Sequence, residues 1–501
     1  MKRRTFIRST LTGAAAFAVP GARPLAAFYR VVRQDPGDVA AVTGDGKAIT
    51  LRGAEIAQLA SRLRGRLLLA KDEGYDQARR VLNPSFDKRP ALITQPTDAA
   101  DVRAAVSFAR EHSLLLAVKC GGHSFSGAST CDRGMQIDLS TLRGVRVDPA
   151  AGRAWVAGGT LLGQVDRETA VHGLVTPLGT VSHTGVGGLT LGGGFGRVAR
   201  RFGLAADNVM AVDIVTADGQ LRHASATENP DLYWGVRGGG GNFGIVTSFE
   251  FQLHAMARQA VGGDIVFPLA RARDLLTMYA DYAPAAPDEL YMDPFMKAPP
   301  GGADGVVGLN VCYSGPAAGA DAALAPIRKL GTPTADGLKA SEYVALQRAH
   351  DMTDPRAVGM YLKGGFVTAI PKNLVDAILD GFEANPARST QVFFQHSGGA
   401  IGRVANDATA FSHRDAKANM MTLVGWKVGD DPSEHTRWIK RYWATLEPFT
   451  DGFYTNDSDP NLPAPAVDAN YGRNYPRLVA LKNTYDPTNL FRLNANVKPT
   501  G

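Results

Sequence analysis

Apolar and polar residues alternate along the first half of the chain in a way that predicts strands and helices in turn. Residues 91–94 and 114–119 are short apolar runs of strand length. Between them, apolar residues recur at helical spacing through 99–113, and Thr97 or Asp98 is placed to cap that helix. The pattern therefore predicts a strand, a helix and a second strand.

The spacing of apolar residues also predicts further strands, a helix and a hairpin. We expect strands in "GMQIDLS" (134–140) and "RAWVAGG" (153–159), with a helix over Leu161–His172. The stretch 210–225 alternates apolar and polar residues on both sides of Asp218–Gly219, which predicts a hairpin with its turn at that dipeptide.

Two glycine clusters occur in this half, at 187–198 and 237–246. In the second, Gly239–Gly244 match the spacing G-x-G-x-x-G of dinucleotide-binding loops. That motif requires a helix after the glycines, whereas residues 245–251 have the composition of a strand. The pattern excludes a nicotinamide-binding domain of that type. The glycines still allow bare backbone N–H groups to approach a flat, anionic ligand.

The pattern changes after about His254. Amphipathic stretches at 269–283 and 432–446 alternate with strand-like runs, which predicts a second α+β domain with helices against a sheet.

The first 27 residues have a basic start, a short apolar run and small residues at the end, which is the layout of a signal peptide. Arg3–Arg4 followed by Thr5, Phe6 and Ile7 favours a twin-arginine signal; an ordinary secretory signal is the alternative. Twin-arginine cargo is typically exported folded, often with its cofactor in place. We therefore expect a periplasmic or secreted bacterial protein.

Composition indicates a globular protein and gives no sign of a nucleic-acid partner or a metal site. Apolar residues make up 45% and charged residues 20%, which are globular values. Removing the signal takes five basic residues and no acid from a net charge of +6, so the mature chain is near neutral and no nucleic-acid partner is expected. Cys120, Cys131 and Cys312 have no metal-ligand spacing, so no metal is expected; a Cys120–Cys131 bridge stays open.

Four stretches appear together and in order: "VKCGGHSFSG" (118–127), "GTVSHTGVGGLTLGGGFGRVARRFGLAADNV" (179–209), "NPDLYWGVRGGGGNFGIVTSFEF" (229–251) and "YGRNYPRLVALKNTYDPTNLFRLNAN" (471–496). From about Tyr75 to its end, the chain resembles the FAD-linked oxidases of the vanillyl-alcohol oxidase superfamily. The similarity is to the berberine-bridge-enzyme-like group.

The resemblance implies an α+β fold of the two-domain PCMH type. After the signal (1–27) come an FAD-binding domain at 28–256, with its core at about 88–256, and a substrate domain at 257–465. The final segment, 466–501, is expected to return to the FAD-binding domain.

In this family the histidine after two glycines is bonded through a ring nitrogen to the 8-methyl carbon of the flavin, and His123 holds that position. Some members add a bond from a cysteine in the 179–188 loop. This chain has no cysteine between Cys131 and Cys312, so the resemblance implies FAD held covalently by His123 alone; non-covalent FAD is the alternative. The other cofactor contacts that the resemblance implies are Lys119, Gly121, Gly122, Ser124, Gly127, Thr184, Gly185, Gly188, Gly244, Ile245, Tyr471, Asn474, Tyr475, Asn494 and Asn496.

The resemblance also implies catalytic residues. Relatives carry a Y-x-N motif whose tyrosine faces the substrate, and Tyr454 and Asn456 match it; on a strand they would share a face. As a base for the substrate hydroxyl, Tyr454 would need a nearby cation or hydrogen-bond donor, because a free phenol has a pKa near 10. Lys363 is a candidate cation, and a purely packing role for Tyr454 is the alternative.

Plant relatives carry a catalytic glutamate near residues 391–404, where this chain has no acid before Asp407. Gln395 is interpreted there as an anchor for a substrate hydroxyl. His396 is a competing candidate for the base.

These observations predict an exported FAD-dependent oxidoreductase that oxidises an alcohol or sugar-like small molecule by hydride transfer. Oxygen is the expected acceptor, giving H2O2. The alternatives are a dehydrogenase with a quinone or cytochrome acceptor and a flavin-bearing binding protein without turnover. No membrane contact is expected after signal removal, and the protein is expected to be a monomer or homodimer.

Overall fold

A computed structural model of the protein describes residues 36–352, 356–457 and 463–500. The predicted signal segment, 1–27, lies outside the described residues. Within those ranges, no helix combines the length and apolar character that crossing a bilayer requires.

The chain folds into short strands and helices. The strands are β1 Val39–Val42, β2 Ala48–Leu51, β3 Arg66–Leu68, β4 Leu92–Gln95, β5 Leu116–Lys119, β6 Met135–Asp138, β7 Val145–Asp148, β8 Arg153–Ala157, β9 Leu174–Val175, β10 Val209–Val215, β11 Leu221–Ser225, β12 Ile245–Gln252, β13 His254–Ala255, β14 Gln259–Pro268, β15 Leu290–Ala298, β16 Val306–Tyr313, β17 Ala335–Asp336, β18 Lys339–Glu342, β19 Val358–Val367, β20 Ser389–His396 and β21 Ala418–Lys427. The helices are α1 Gly53–Arg62, α2 Tyr75–Arg79, α3 Ala99–Glu111, α4 Leu162–Ala170, α5 Val186–Leu191, α6 Ala199–Phe202, α7 Pro230–Gly235, α8 Ala272–Tyr282, α9 Ala320–Arg328, α10 Tyr343–Arg348, α11 Lys372–Gly381, α12 Ser433–Leu446, α13 Ala464–Tyr471 and α14 Tyr475–Tyr485.

The first sheet has the strand order β3-β4-β6-β5, and β6 runs parallel to both β4 and β5. Helix α3 connects β4 to β5, as the hydrophobic pattern predicted. Its start is set by Asp98, whose side chain accepts a hydrogen bond from Asp101 N. Val102, Val106 and Ala109 form its buried face.

The second sheet has the order β11-β10-β12-β8-β7, with every pair antiparallel. The predicted hairpin is confirmed as β10 and β11. The glycines at 237–244 lead into β12, a strand, so the exclusion of a nicotinamide-binding loop is also confirmed.

The third sheet belongs to the second half of the chain. Its strand order is β17-β14-β16-β15-β20-β21-β19, with β18 pairing to β14. Helices α8, α11 and α12 contribute to the apolar core on one face of this sheet. On β20, Val392 and Phe394 point into that core, while Phe393 and Gln395 lie on the opposite face.

The C-terminal residues return to the second sheet. Leu478, Leu481 and Val497 belong to the same apolar core as β10 and β12. Asn242, in the second glycine cluster, donates to Ala495 O at 3.1 Å and accepts from Val497 N at 3.0 Å. The tail is thereby fixed beside the glycine loop.

The open question about cysteines is settled against a bridge. All three cysteines are free thiols. The Cys120 thiol lies 3.2 Å from Gly158 O, and the Cys131 thiol lies 3.5 Å from Met135 O. Cys312 is buried on β16.

Candidate active site

A cavity of about 390 Å³ lies where the three sheets meet. This volume is within the usual range for a cofactor or ligand site. Its lining comes from the loop after β5, the loop and helix around α5, the second glycine cluster, strands β20 and β21, residues 454–457 and the tail at 491–495.

One side of the cavity is built from backbone. A Cβ on Gly121 would lie 2.3 Å from Gly185 N, so the two loops touch there main chain to main chain. Gly122 has φ +72°, a left-handed conformation that favours glycine. A Cβ on Gly188 or Gly241 would meet no protein atom within 4 Å. We call residues 120–126 and 184–188 the histidine wall.

His123 stands on the histidine wall and pairs with a second histidine. Its Nε2 lies 2.7 Å from Nδ1 of His183, and its Nδ1 lies 3.3 Å from Thr184 Oγ1. Burial, assisted by the neighbouring His183, lowers the pKa of His123 to about 3. The imidazole is therefore neutral near pH 7. His183 was not predicted as a site residue, because its only sequence signal is its position in the "SHTG" loop.

The cavity brings together many of the predicted cofactor residues. Those that line it are Gly121, Gly122, His123, Ser124, Thr184, Gly185, Gly188, Gly244, Ile245 and Asn494.

The other predicted cofactor residues do not line the cavity. They are Lys119, Gly127, Tyr471, Asn474, Tyr475 and Asn496.

Two of these residues are held by polar contacts within the protein. Lys119 Nζ donates to Ala78 O and lies 3.3 Å from Asp138 Oδ2. Asn474 donates to the main-chain oxygens of Asn406 and Thr409.

Three others are in aromatic packing contacts. Tyr471 is buried in the core of the second sheet, and Tyr475 packs against that core. Gly127 lies against the ring of Phe86.

A second part of the cavity lining is made of side chains. Gln395 of β20 and residues 454–457 line it, and Asn419 of β21 lies behind them. We call this set the acid wall, because it contains Asp457.

The Y-x-N motif does not lie on a strand, which corrects the sequence interpretation. Thr455–Asp457 form a 3₁₀ turn after the glycine at 452. The turn nevertheless places Asn456 Nδ2 2.7 Å from Tyr454 OH, to which it donates. Gly194 N donates to the same hydroxyl at 2.9 Å.

Tyr454 does not have the lowered pKa that a base role requires. It is 3% exposed and packs against Phe195 and Phe366. Burial raises the pKa of Tyr454, and the nearby Asp457 raises it further. Lys363 lies on β19 and does not line the cavity.

His396 is excluded as a base by its position. It lies on the face of β20 opposite Gln395, and its ring is buried away from the cavity. Met292 N donates to its Nδ1, and its Nε2 lies 3.3 Å from Ala283 O. The sequence placed Gln395 and His396 together, but side chains alternate between the two faces of a strand.

Asp457 is the site residue that the sequence interpretation missed. Asn419 Nδ2 donates to Asp457 Oδ2 at 2.8 Å and to Gln395 Oε1 at 3.0 Å. Burial raises the pKa of Asp457 to about 7, although the bond from Asn419 opposes this shift. The one sequence signal was an acid directly after Y-x-N.

The cavity suits a flavin dinucleotide. Three lining residues have buried polar atoms without a hydrogen-bond partner among the described residues: Ser129 Oγ, Thr455 Oγ1 and Asn494 Oδ1. Such atoms are rare in folded proteins unless a ligand or water satisfies them. Together with the exposed glycine backbone, they match a cofactor that carries hydroxyls, phosphates and a planar ring.

Comparison with known proteins agrees with this reading of the site. The family model described as FAD binding domain matches residues 90–225, and the model described as berberine and berberine like matches 453–498. An FAD-linked oxidoreductase of Dictyostelium discoideum is 33% identical over 414 residues, which cover 82% of this chain and 89% of that protein.

Two further relatives are named for their activities. The solved 6-hydroxy-D-nicotine oxidase from Arthrobacter nicotinovorans is 28% identical, with a TM-score of 0.79 over 87% of this chain and 98% of that one. A xylooligosaccharide oxidase of Thermothelomyces thermophilus is 29% identical over 447 residues, 83% of this chain and 89% of the relative. The chain therefore belongs to the berberine-bridge-enzyme-like family of FAD-linked oxidoreductases, with the two-domain PCMH-type fold. FAD is its cofactor.

Proposed function

We propose that this enzyme is an exported oxidase that removes a hydride from a hydroxyl-bearing carbon of an alcohol or sugar-like substrate. One observation carries the proposal: a single cavity is lined both by the histidine wall and by the amide and carboxyl groups of the acid wall. A bound flavin supplies the two-electron acceptor, and oxygen regenerates it with release of H2O2.

We further propose that FAD is attached covalently, through His123 alone. The lowered pKa of His123 supports this, because a neutral imidazole keeps the lone pair that bond formation needs. Acid precipitation of the purified protein tests the attachment. The yellow colour should stay with the precipitate, and colour that leaves with the supernatant would overturn the proposal.

A hydroxyl substrate is favoured by the chemistry of the acid wall. Gln395 presents an amide group that can bind a hydroxyl, and the xylooligosaccharide oxidase among the relatives is named for a sugar substrate. The nicotine oxidase is named for an amine, so amines belong in the same test.

The test is an anaerobic panel of alcohols, mono- and oligosaccharides and amines. At least one hydroxyl compound should bleach the flavin, and admitted oxygen should restore the colour with one H2O2 per flavin. Bleaching by amines alone would overturn the substrate class. Recovery with a quinone but not with oxygen would favour a dehydrogenase.

Export is proposed from the sequence of the first 27 residues. Replacing Arg3 and Arg4 with lysine together should leave the precursor in the cytoplasm. Normal export of that variant would indicate the ordinary secretory route.

A further inference from the structure

One buried carboxylate faces the cavity, and the function proposed above assigns no catalytic step to it. Asp457 ends the 3₁₀ turn at 455–457, is 9% exposed and lines the cavity. Its backbone N–H donates to Tyr454 O at 2.9 Å, which fixes the residue on the turn. Its side chain therefore borders the cavity.

The surroundings of Asp457 hold its side chain without neutralising it. Asn419, which is fully buried, bridges Asp457 Oδ2 and Gln395 Oε1 with its amide group. Among residues 36–352, 356–457 and 463–500, no lysine, arginine or histidine forms an ion pair with this carboxylate. A buried carboxylate without a cation is costly, so burial favours its protonated form.

Two other buried acids provide a contrast. Burial also raises the pKa values of Asp166 and Asp293 to about 7. Neither lines the cavity. Asp293 accepts from His396 N and from Tyr291 OH, and Asp166 accepts from Gln347 Nε2 at 3.3 Å. Asp457 thus combines a carboxyl that can titrate near neutral pH with access to the site.

We propose that Asp457 is the general base of the oxidation, and that Asn419 and Gln395 position it against the substrate hydroxyl. The proposal rests on the proposed function. The hydroxyl O–H bond breaks and its proton forms a new O–H bond on the Asp457 carboxylate. The electron pair of the adjacent C–H bond leaves as hydride to the flavin, which is the oxidant, and the carbon becomes a carbonyl.

Tyr454 is the titratable neighbour on the same turn, while β20 and β21 present the neutral amides of Gln395 and Asn419. The Tyr454 hydroxyl already accepts two N–H groups, and burial raises its pKa, so it stays protonated at neutral pH. A base works best when its pKa lies near the working pH. Asp457 meets that condition and Tyr454 does not.

The test compares the holoenzyme with Asp457→Asn, which keeps the shape of the side chain and an oxygen that can accept from Asn419. Asp166→Asn is the matched control, since it removes a buried acid outside the cavity. Two measurements are made from pH 5 to 9: the visible flavin spectrum without substrate, and the rate of anaerobic flavin reduction by a hydroxyl substrate.

In the wild type and in Asp166→Asn, the flavin spectrum should titrate near pH 7, and the reduction rate should rise about tenfold per pH unit below 7 and then level off. In Asp457→Asn, the flavin spectrum should no longer titrate near pH 7. Its flavin should be reduced about 100- to 10,000-fold more slowly at normal flavin content, and the reduction rate should no longer increase with pH. Reduction within threefold of the wild type, with the same pH profile, would overturn the proposal.

The spectral titration tests Asp457 separately from the proposed oxidation of a hydroxyl substrate. If no hydroxyl compound reduces the wild type, the proposed function fails, and the spectrum still decides the state of Asp457. A titration near pH 7 that persists in Asp457→Asn would overturn the proposal independently of turnover.

Discussion

The two walls of the cavity respond to burial in opposite directions. On the histidine wall, burial lowers the pKa of His123 to about 3, so the ring is neutral at every physiological pH. On the acid wall, burial raises the pKa of Asp457 to about 7, so that group changes charge within the working range. The same desolvation keeps one residue neutral throughout that range and lets the other titrate within it.

The first prediction concerns His123, the residue that we propose attaches the flavin. His123→Ala should abolish acid-stable flavin completely, because no cysteine stands in the 179–188 loop to replace the bond. Acid precipitation followed by absorbance of the pellet measures this. Flavin that stays with the pellet of the variant would show that another residue carries the attachment.

The second prediction tests the glycine contacts of the same wall. A Cβ at Gly185 would lie 2.3 Å from Gly121 N and 2.4 Å from the Cys120 thiol, so Gly185→Ala must displace both loops. We expect flavin content to fall about tenfold or more and the unfolding temperature to fall with it. Gly188→Ala is the control, because its Cβ meets no protein atom within 4 Å; it should unfold close to the wild-type temperature. Equal losses of thermal stability in the two variants would contradict the contact.

The third prediction concerns the acid wall and states how the titration of Asp457 changes the stability of the protein with pH. The folded pKa of Asp457 is raised from 3.8 to about 7, so the native protein binds the extra proton between these values. Wild-type stability should therefore fall as pH rises from about 4 to about 7, and Asp457→Asn should lack that contribution.

Thermal unfolding as a function of pH gives the measurement. The unfolding temperature of Asp457→Asn, relative to wild type, should rise by a few degrees between pH 4 and 7 and stay level above 7. Asp166 and Asp293 titrate in both proteins and cancel in the difference. A difference that does not change with pH would contradict the raised pKa of Asp457.

The fourth and smallest effect concerns Tyr454. The Y-x-N resemblance predicts that Tyr454→Phe slows flavin reduction by two decades or more. The structure instead leads us to expect less than about tenfold, with a loss of about 1–3 kcal/mol of stability because Gly194 N–H loses its acceptor. Single-turnover reduction and denaturant unfolding measure the two effects. A fall of two decades at normal flavin content would restore Tyr454 as the base.

The histidine wall could be predicted from the sequence because it is local. His123 and the glycines around it lie within a few residues of one another, and glycine spacing reports directly on backbone geometry. The helices and strands named from hydrophobic spacing were also largely confirmed.

The acid wall could not be predicted in the same way. Gln395, Asn419 and Asp457 come from three segments, and their hydrogen bonds depend on how β20, β21 and the 3₁₀ turn meet. Because residues 454–456 were assigned to a strand, Asp457 was not considered as a site residue. His396 was predicted as a site residue because the sequence alone does not show which side chains of β20 face the cavity. Burial, which sets both pKa values, is a property of the assembled fold.

The most direct test of the account is an anaerobic titration of the wild-type holoenzyme with a hydroxyl substrate identified by the panel. The account predicts complete bleaching at one equivalent of substrate per flavin, one carbonyl product per flavin, and acid-stable colour after reoxidation. Substrate that binds without bleaching the flavin, or bleaching without a carbonyl product, would contradict it.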